Sequence, residues 1–313
     1  MLDINNLTIE LMGTANPFII LRDVSLSLKN GEILGIAGES GSGKTILAKS
    51  ILNLIKKPVV KTGGSINLDG AELSSEKDFR AIRGSKISMI FQNPTASLNP
   101  VFTIGSQLIE TIRIHQPKMS VQEAKDRAVE LLTEVEIPHP EERLNTYPHQ
   151  LSGGMNQRVM IALALSSNPE ILIADEATTA LDVTIQAQIV ALLKKLNKEK
   201  NLSIIFITHD LSLLAQVADE SFIMYAGEIM ERLTSDQLRN DDMRHPYTKN
   251  LQSCVPKIGD NREYLNTITG TITFNNAEFD NACVFHPRCD RATDKCKTSK
   301  PPFSNGFTCW YPY

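Results

Sequence analysis

The sequence predicts an α/β protein whose core is a mostly parallel sheet, and two observations lead to that prediction. The first is that short apolar runs alternate along the chain with longer helical stretches. The second is that several of these runs are apolar throughout, as expected of strands buried on both faces of a parallel sheet. The runs are GEILGIAG (31–38), SKISMIFQ (85–92), EILIADE (170–176) and LSIIFITHD (202–210).

The helical stretches between these strands have apolar residues that recur at intervals of three and four. They cover residues 42–55, 120–137, 153–168 and 184–200. Residues 94–168 contain no clear strand, which predicts a helical insertion in the core. A pair of strands is predicted over 220–233, joined at Ala226-Gly227, where the core ends.

The composition changes near residue 235, where the periodicity weakens and Pro246 and Pro256 follow. We therefore expect a core domain of residues 1–235 and a C-terminal extension of residues 236–313. A length of 313 residues with 42% hydrophobic residues is sufficient for one large core and such an extension.

The charge, the length of the apolar stretches and the N-terminal residues argue against several classes of protein. The net charge is −4 with scattered basic residues, so no basic patch for nucleic acid is expected. No apolar stretch reaches the roughly 18 residues that a membrane-spanning helix needs. The N-terminal residues MLDINNLTIEL do not have the pattern of a secretion signal, so we expect a cytosolic protein.

GESGSGKT (38–45) predicts a phosphate-binding loop because it follows an apolar strand and opens a helix. Its glycines allow the backbone N–H groups to face phosphate oxygens, and the N-terminus of the next helix adds partial positive charge. Lys44 is expected to reach the phosphates, and the Thr45 hydroxyl to ligate Mg²⁺. A nucleoside triphosphate is the predicted ligand.

Polar residues at the ends of the other strands extend this site. Asp175 is expected to hold Mg²⁺ and Glu176 to polarise the attacking water, since both follow a buried strand. Gln92 is a candidate for the Mg²⁺ and water shell, and His209 for a donor to the γ-phosphate. An Asp-Glu pair can also cap a helix, and a single polar residue at a strand end can be incidental.

LSGGMNQR (151–158) lies between the phosphate loop and Asp175, and it resembles the signature motif of ABC ATPases. The chain is similar to that family over about residues 1–235. GESGSGKT then matches the Walker A motif, ILIADE the Walker B motif, TALD (179–182) the D-loop, Gln92 the Q-loop and His209 the switch histidine. The resemblance implies a mostly parallel sheet, an antiparallel β-subdomain and a helical subdomain at about 94–168.

Four further segments resemble the ATPases of oligopeptide and dipeptide importers, a group whose relatives include nickel importers. They are FQNPTASLNP (91–100), YPHQLSGGMNQR (147–158), LDVTIQAQI (181–189) and RHPYTKNL (244–251). The resemblance implies an ATPase that powers import of di- or oligopeptides from the cytoplasmic side of the membrane. A nickel or metallophore importer is the first alternative, and a soluble ABC ATPase is the second.

The family resemblance also implies a set of partners and a dimeric site. The expected partners are two permease subunits, a second and different ATPase subunit, and an extracytoplasmic substrate-binding protein. The residues expected to bind ATP are Gly38, Glu39, Ser40, Gly41, Ser42, Gly43, Lys44, Thr45, Gln92, Asp175, Glu176 and His209. Of these, Thr45, Gln92 and Asp175 are expected to bind Mg²⁺. Contacts to the nucleotide of the other ATPase subunit are expected from Ser152, Gly153, Gly154 and Asp182.

Two positions depart from the family pattern. Ala177 stands where proline commonly follows the Asp-Glu pair, and this change is expected to be harmless. The aromatic residue that stacks on adenine has one candidate, Phe18, which is close to the next strand.

The C-terminal extension contains Cys283, Cys289, Cys296 and Cys309, four of the five cysteines in the chain. Disulfides are rare in reducing cytosol, and the spacing is wider than the C-x2-C knuckles typical of structural zinc. The spacing resembles the C-terminal cluster motif of many peptide-importer ATPases, which implies a [4Fe–4S] cluster. Zinc and unligated thiols remain the alternatives.

The segment that carries these cysteines is polar and has few apolar residues, so a ligated metal group is expected to order it. Phe285, Phe303, Phe307 and Trp310 are expected to shield the group or to pack the segment onto a neighbour. We expect the group to act on folding and docking rather than on ATP chemistry. Cys254 is expected to be a buried apolar residue.

Overall fold

The computed structural model describes residues 1–13, 18–91, 97–178, 182–255, 266–272 and 279–313. The chain divides into two compact units. The first contains Met1–Lys29, Ile33–Ser75 and Ile207–Tyr313, and the second contains Asn30–Glu32 and Glu76–Phe206.

The strands, in chain order, are β1 (Leu2–Leu11), β2 (Phe18–Leu28), β3 (Ile33–Ala37), β4 (Val59–Leu68), β5 (Ala71–Glu72), β6 (Ile87–Ile90), β7 (Ile171–Asp175), β8 (Ser203–Thr208), β9 (Glu220–Tyr225) and β10 (Glu228–Thr234). The helices are α1 (Lys44–Ile51), α2 (Glu76–Ile82), α3 (Ile104–His115), α4 (Val121–Glu134), α5 (Pro140–Arg143), α6 (Gly153–Leu165), α7 (Val183–Lys200), α8 (Leu211–Val217), α9 (Ser235–Arg239), α10 (Pro246–Ser253) and α11 (Asp294–Thr298). Two short 3₁₀ turns cover Pro148–Gln150 and His286–Arg288.

The first unit has an antiparallel sheet with the strand order β2-β1-β4-β5. In β1 the side chains of Ile4 and Leu7 are both buried, although residues three apart face opposite sides of a regular strand. A shift in the pairing register between them turns the strand so that both reach the same core.

A second group of strands in the first unit has the order β10-β9-β3. Strand β9 pairs parallel to β3 and antiparallel to β10. The turn between β9 and β10 consists of Ala226 and Gly227, and both residues have positive φ. The N–H of Gly227 donates to the Ser42 carbonyl at 3.0 Å, so this turn supports the loop that precedes α1.

The second unit contains β6 and β7, which are parallel and buried along their whole length. The described part of the predicted helical insertion, residues 97–168, contains helices and turns and no strand. Helix α4 begins with a capping box in which Ser120 and Glu123 each bond to the other's backbone N–H. Strand β8 begins in the second unit and passes into the first at Ile207.

The predicted α/β class is confirmed, and the elements that were predicted from the sequence pattern agree with the structure to within a few residues. Helix α1 is shorter than the predicted 42–55, and α6 ends at Leu165 rather than 168. In the part of the chain that the structure describes, no helix is long and apolar enough to cross a bilayer.

The C-terminal segment 279–313 has little regular structure and is held to the first unit by hydrogen bonds and charge pairs. Thr308 donates its N–H to the Met230 carbonyl at 2.8 Å, next to a bridge between Glu231 and Phe307. The Lys300 ammonium lies 2.8 Å from the carboxylate of Glu228, which is buried. The segment therefore packs beside β10.

Candidate nucleotide site and cysteine cavity

The predicted phosphate loop connects β3 to α1 in the first unit. The Lys44 ammonium donates to the carbonyls of Gly38 and Glu39, at 2.8 and 2.9 Å, and lies 3.4 Å from the Ser42 hydroxyl. Lys44 and Ser42 are both buried. These contacts place the cationic end of Lys44 over the loop rather than in solvent.

Glycine is needed in this loop for steric reasons. Gly43, the N-cap of α1, has a φ of 105°, and a Cβ there would lie 2.7 Å from Leu21 Cδ2. At Gly38 a Cβ would lie 2.2 Å from the Met224 carbonyl oxygen. The backbone thus curls against β9 in a way that other residues do not permit.

The N-terminus of α1 carries the features of an anion site. Its N-cap, Gly43, has no side chain that could cap the helix, and no acidic residue stands in its first turn. Thr45, in that turn, is partly exposed. The partial positive charge of the helix end is therefore not offset by a carboxylate of its own first turn.

Glu39, the second residue of the loop, is held from two sides within the first unit. Its N–H donates to the Tyr247 hydroxyl at 2.9 Å. Its carboxylate accepts two hydrogen bonds from the Arg288 guanidinium, at 2.6 and 3.0 Å. Sequence reasoning placed Glu39 in the phosphate loop but did not identify Tyr247 or Arg288 as its partners.

Asp175 and Glu176 lie in the second unit, at the end of β7. Asp175 is 1% exposed, and Glu176 has a φ of 47°, in the left-handed region that is uncommon for a residue with a side chain. Ala177 follows and is buried. The strand end thus turns sharply at Glu176, and such backbone strain is frequent at functional sites.

The predicted signature residues also lie in the second unit. Ser152 is the N-cap of α6 and accepts a hydrogen bond from the Met155 N–H at 3.3 Å. Ser152 and Gly153 are exposed, while Gly154 is buried. A Cβ on Gly154 would lie 2.7 Å from Ile185 Cγ2, so a small residue fits α6 against α7.

The remaining predicted site residues have the following positions. His209 is exposed and directly follows β8, in the first unit. Asp182 is the N-cap of α7 and accepts from the Ile185 N–H at 2.9 Å. Phe18 is the first residue of β2 and is partly buried. Gln92 and most of the TALD segment lie outside the described residues.

The four C-terminal cysteines line one cavity in the first unit, together with His245, Phe285 and Trp310. All five cysteines of the chain are free thiols. The Cys283 N–H donates to the Cys296 carbonyl at 2.9 Å, which holds the backbone at these two cysteines together. Residues that are far apart in sequence are thereby brought around a common space.

Burial makes three of these thiols weaker acids than an exposed cysteine. It raises the pKa of the Cys283 thiol to about 12 and that of Cys289 to about 11, and it also raises the pKa of Cys309. Thiolates bind metals and thiols do not, so any ligation here must release protons.

His245 shows how the wall of this cavity is built. The ring is almost fully buried, and burial lowers its pKa to about 4, so it is neutral near pH 7. Its Nδ1 accepts the N–H of Tyr247 at 3.0 Å and caps α10, whose first residue is Pro246. The segment RHPYT thus joins the cavity to the Tyr247 side chain that holds Glu39.

Within the described ranges, no group of three or more His, Cys, Asp or Glu side chains is arranged to hold a metal ion. A zinc ion requires four donors at about 2.1–2.3 Å from one point. In a [4Fe–4S] cluster each thiolate binds a different iron, so the sulfurs stand farther apart. Four thiols around one cavity are the donor set that such a cluster uses.

The other expectations for the extension have mixed outcomes. Phe285 is fully buried and packs against Tyr225 and Tyr247, with ring centroids 5.1 and 5.2 Å apart. Phe303 is 50% exposed and does not shield the cavity. Cys254 is not buried as expected but is partly exposed at the C-terminus of α10.

Two family models match this chain. The model of the ABC transporter family matches residues 21–179, and the model of the oligopeptide/dipeptide transporter C-terminal region matches residues 230–296. The first match covers the phosphate loop, the signature residues and Asp175-Glu176. The second covers His245 and three of the four cysteines.

Individual relatives extend over nearly the whole chain. The dipeptide transport ATP-binding protein DppD of Escherichia coli is 42% identical over 96% of this chain and 92% of its own length. The oligopeptide transport ATP-binding protein AppD of Bacillus subtilis is 45% identical over 96% of this chain and 92% of its own length. The solved dimer of the ATP-binding cassette MJ0796, bound to ADP and Pi, is 32% identical with a TM-score of 0.67, covering 75% of this chain and 99% of that one.

The fold, the phosphate loop and these matches define an ATP-binding cassette protein. The chain belongs to the ABC transporter family, as one of its ATP-hydrolysing subunits.

Proposed function

We propose that this chain powers an ABC importer for di- or oligopeptides by binding and hydrolysing ATP. The observation that carries the proposal is similarity over 96% of the chain to proteins named for dipeptide and oligopeptide transport. The similarity includes the C-terminal region, where peptide-transporter ATPases differ from a bare ATPase core.

The proposed ATP chemistry divides among the residues described above. The loop amides of Gly38–Thr45 and the Lys44 ammonium bind the phosphates. Thr45, Gln92 and Asp175 would hold Mg²⁺, which would supply positive charge to the phosphoryl group. Glu176 orients and polarises the attacking water, and His209 donates to the γ-phosphate. The exposed position of His209 at a strand end is consistent with this role.

The second half of the site is proposed to come from another ATPase subunit. In this chain Ser152 and Gly153 are exposed at the N-terminus of α6, a position from which a hydroxyl and helix N–H groups can face an anion. We propose that Ser152, Gly153, Gly154 and Asp182 cover the ATP bound by the other subunit. ATP binding then closes the dimer, hydrolysis opens it, and the motion is passed to the permeases.

We further propose that Cys283, Cys289, Cys296 and Cys309 bind a [4Fe–4S] cluster. Support comes from the convergence of these four cysteines on one cavity. The bound cluster would cross-link the chain segments that carry the four cysteines. Zinc is the less favoured alternative.

A nickel or metallophore importer is the second candidate function, since that group belongs to the same family. The names of the relatives favour peptides over nickel. A soluble ABC ATPase is disfavoured because the oligopeptide/dipeptide C-terminal region is present.

The proposed assembly has two permeases, this chain, a second and different ATPase subunit, and an extracytoplasmic binding protein, with this chain at the cytoplasmic face of the membrane. The test is to tag the chain in its native host, solubilise the membranes in mild detergent and identify co-purifying subunits. We expect two permeases and a second ATPase at equal stoichiometry. Recovery of the chain without permeases, or full substrate-stimulated transport with this chain as the sole ATPase, would contradict the assembly.

A further inference from the structure

The Arg288–Glu39 pair connects two parts of the first unit that lie 249 residues apart in sequence. Arg288 precedes Cys289 and ends the short 3₁₀ turn between Cys283 and Cys289. Its side chain is only 5% exposed, and the Glu39 side chain is 25% exposed. A two-pronged guanidinium–carboxylate contact at this degree of burial fixes both partners in position.

Arg288 is itself held rigidly. Its Nε donates to the Thr269 carbonyl at 2.9 Å, and one Nη donates to the Ile268 carbonyl at 3.1 Å. The guanidinium carbon lies 5.6 Å from the centre of the Tyr225 ring, in a cation–π arrangement. Phe285, in the same turn, packs its buried ring against Tyr225 and Tyr247. Besides Glu39, the guanidinium is thus held by the carbonyls of Thr269 and Ile268 and by the Tyr225 ring, all within the first unit.

Glu39 links this contact to the phosphate loop. Its carbonyl accepts a hydrogen bond from the Lys44 ammonium at 2.9 Å, and its N–H donates to the Tyr247 hydroxyl. Any rotation of the Glu39 backbone therefore moves an acceptor that places the Lys44 ammonium. The pair constrains both the shape of the loop and its principal cation.

The charge of Glu39 gives the pair a second effect. A carboxylate in a loop that binds the phosphates of ATP opposes binding, because like charges repel more strongly where water is partly excluded. The Arg288 guanidinium offsets that charge directly. Without Arg288 the loop would present a carboxylate whose charge nothing at this contact neutralises.

We propose that Arg288 is a positioning residue for ATP binding, which acts through Glu39 to set the conformation and charge of the phosphate loop. Through the contact between Arg288 and Glu39, the cysteine-bearing segment contributes to the ATP site. The inference rests on the proposed role of residues 38–45 as the phosphate loop.

The experiment is calorimetric titration of MgATP into the full chain, purified without oxygen, with absorbance near roughly 400 nm recorded to follow the proposed iron–thiolate centre. Arg288→Gln is expected to raise the Kd for ATP about tenfold, within the usual range for coupling between sites. Arg288→Lys keeps the positive charge but loses the two-pronged hydrogen bond to the carboxylate, and it should raise the Kd by about threefold. The matched control is Lys297→Gln, which removes one charge from the same segment at a residue paired with Asp294; it should leave the Kd unchanged.

The double variant Arg288→Gln, Glu39→Gln tests whether Arg288 acts through the charge of Glu39 or only through general packing. Removing the repelling carboxylate should return the Kd to within about twofold of the parent value, while loss of packing alone would leave it as high as in Arg288→Gln. Wild-type affinity in both Arg288 variants, or no recovery in the double variant, would overturn the proposal. Lys44→Ala is the separate check, since unchanged affinity there would overturn the phosphate-loop assignment itself.

Discussion

Glu176→Gln is expected to lower the rate of ATP hydrolysis by at least about a hundredfold while ATP binding persists. An amide has the shape of the carboxylate but cannot polarise the attacking water or accept its proton. The backbone at Glu176, with its φ of 47°, lies in a strained region that is frequent at functional sites. The variant should also accumulate as an ATP-bound closed dimer, because hydrolysis is the step that opens it.

The measurement is phosphate release by the assembled transporter, with the corresponding residue of the second ATPase also substituted so that only one kind of site is examined. Glu170→Gln is the matched control: it removes a carboxylate that precedes the same strand and pairs with Lys86 at 3.6 Å. That variant should hydrolyse ATP normally. Near-normal turnover in Glu176→Gln would exclude Glu176 from the role proposed here.

Cys296→Ser is expected to abolish the proposed cluster and to loosen the C-terminal segment. Cys296 is the most buried of the four cavity cysteines, and a serine oxygen is a poor substitute for a soft thiolate ligand. Protein purified without oxygen should be brown, and the variant should lose nearly all absorbance near roughly 400 nm. Because binding of a metal group is coupled to folding, its thermal midpoint should fall by at least about 5 °C.

Cys254→Ser is the matched control, since Cys254 is the cysteine that does not line the cavity. The Cys254→Ser variant should retain full absorbance near roughly 400 nm and the thermal midpoint of the parent protein. Iron and sulfide analysis of the parent protein decides between the two metal hypotheses. Stoichiometric zinc without iron or sulfide would contradict the cluster and support a structural zinc ion. Protein that contains none of the three would contradict both metal hypotheses.

Much of the fold follows from periodicity alone. The buried strands β3, β6, β7 and β8 are short, mostly apolar runs, and the turn at Ala226-Gly227 lies between two strands predicted from their pattern. Such patterns depend on local burial, which the sequence records directly.

The antiparallel sheet of β1, β2 and β4 could not be found in the same way. The register shift between Ile4 and Leu7 breaks the alternation of β1, and β4 contains the adjacent glycines Gly63 and Gly64, so neither strand has a regular period of two. This sheet was predicted by the resemblance to ABC ATPases and not by the residue pattern.

The candidate site shows the same division between local and long-range information. The phosphate loop is a continuous motif with a strand before it and a helix after it, so its identity is local. The partners of Glu39 are Tyr247 and Arg288, which are brought to the loop only by the fold. A single sequence carries no signal for pairs so far apart.

The contact between Arg288 and Glu39 also changes the expectation for the extension. We expected the cysteine-bearing segment to affect folding and docking but not ATP chemistry. A segment that holds the second residue of the phosphate loop has a direct route to ATP affinity, and loss of the proposed cluster is expected to weaken ATP binding in the same direction as Arg288→Gln.

The most direct test of the central claim is ATP-dependent peptide uptake into proteoliposomes that contain the two permeases, this chain and the second ATPase, with the binding protein outside and ATP inside. The account predicts that dipeptides or oligopeptides are taken up and stimulate ATP hydrolysis, and that Lys44→Ala in this chain abolishes both effects. Stimulation by a nickel complex but not by any peptide, or peptide uptake that persists with Lys44→Ala, would contradict it.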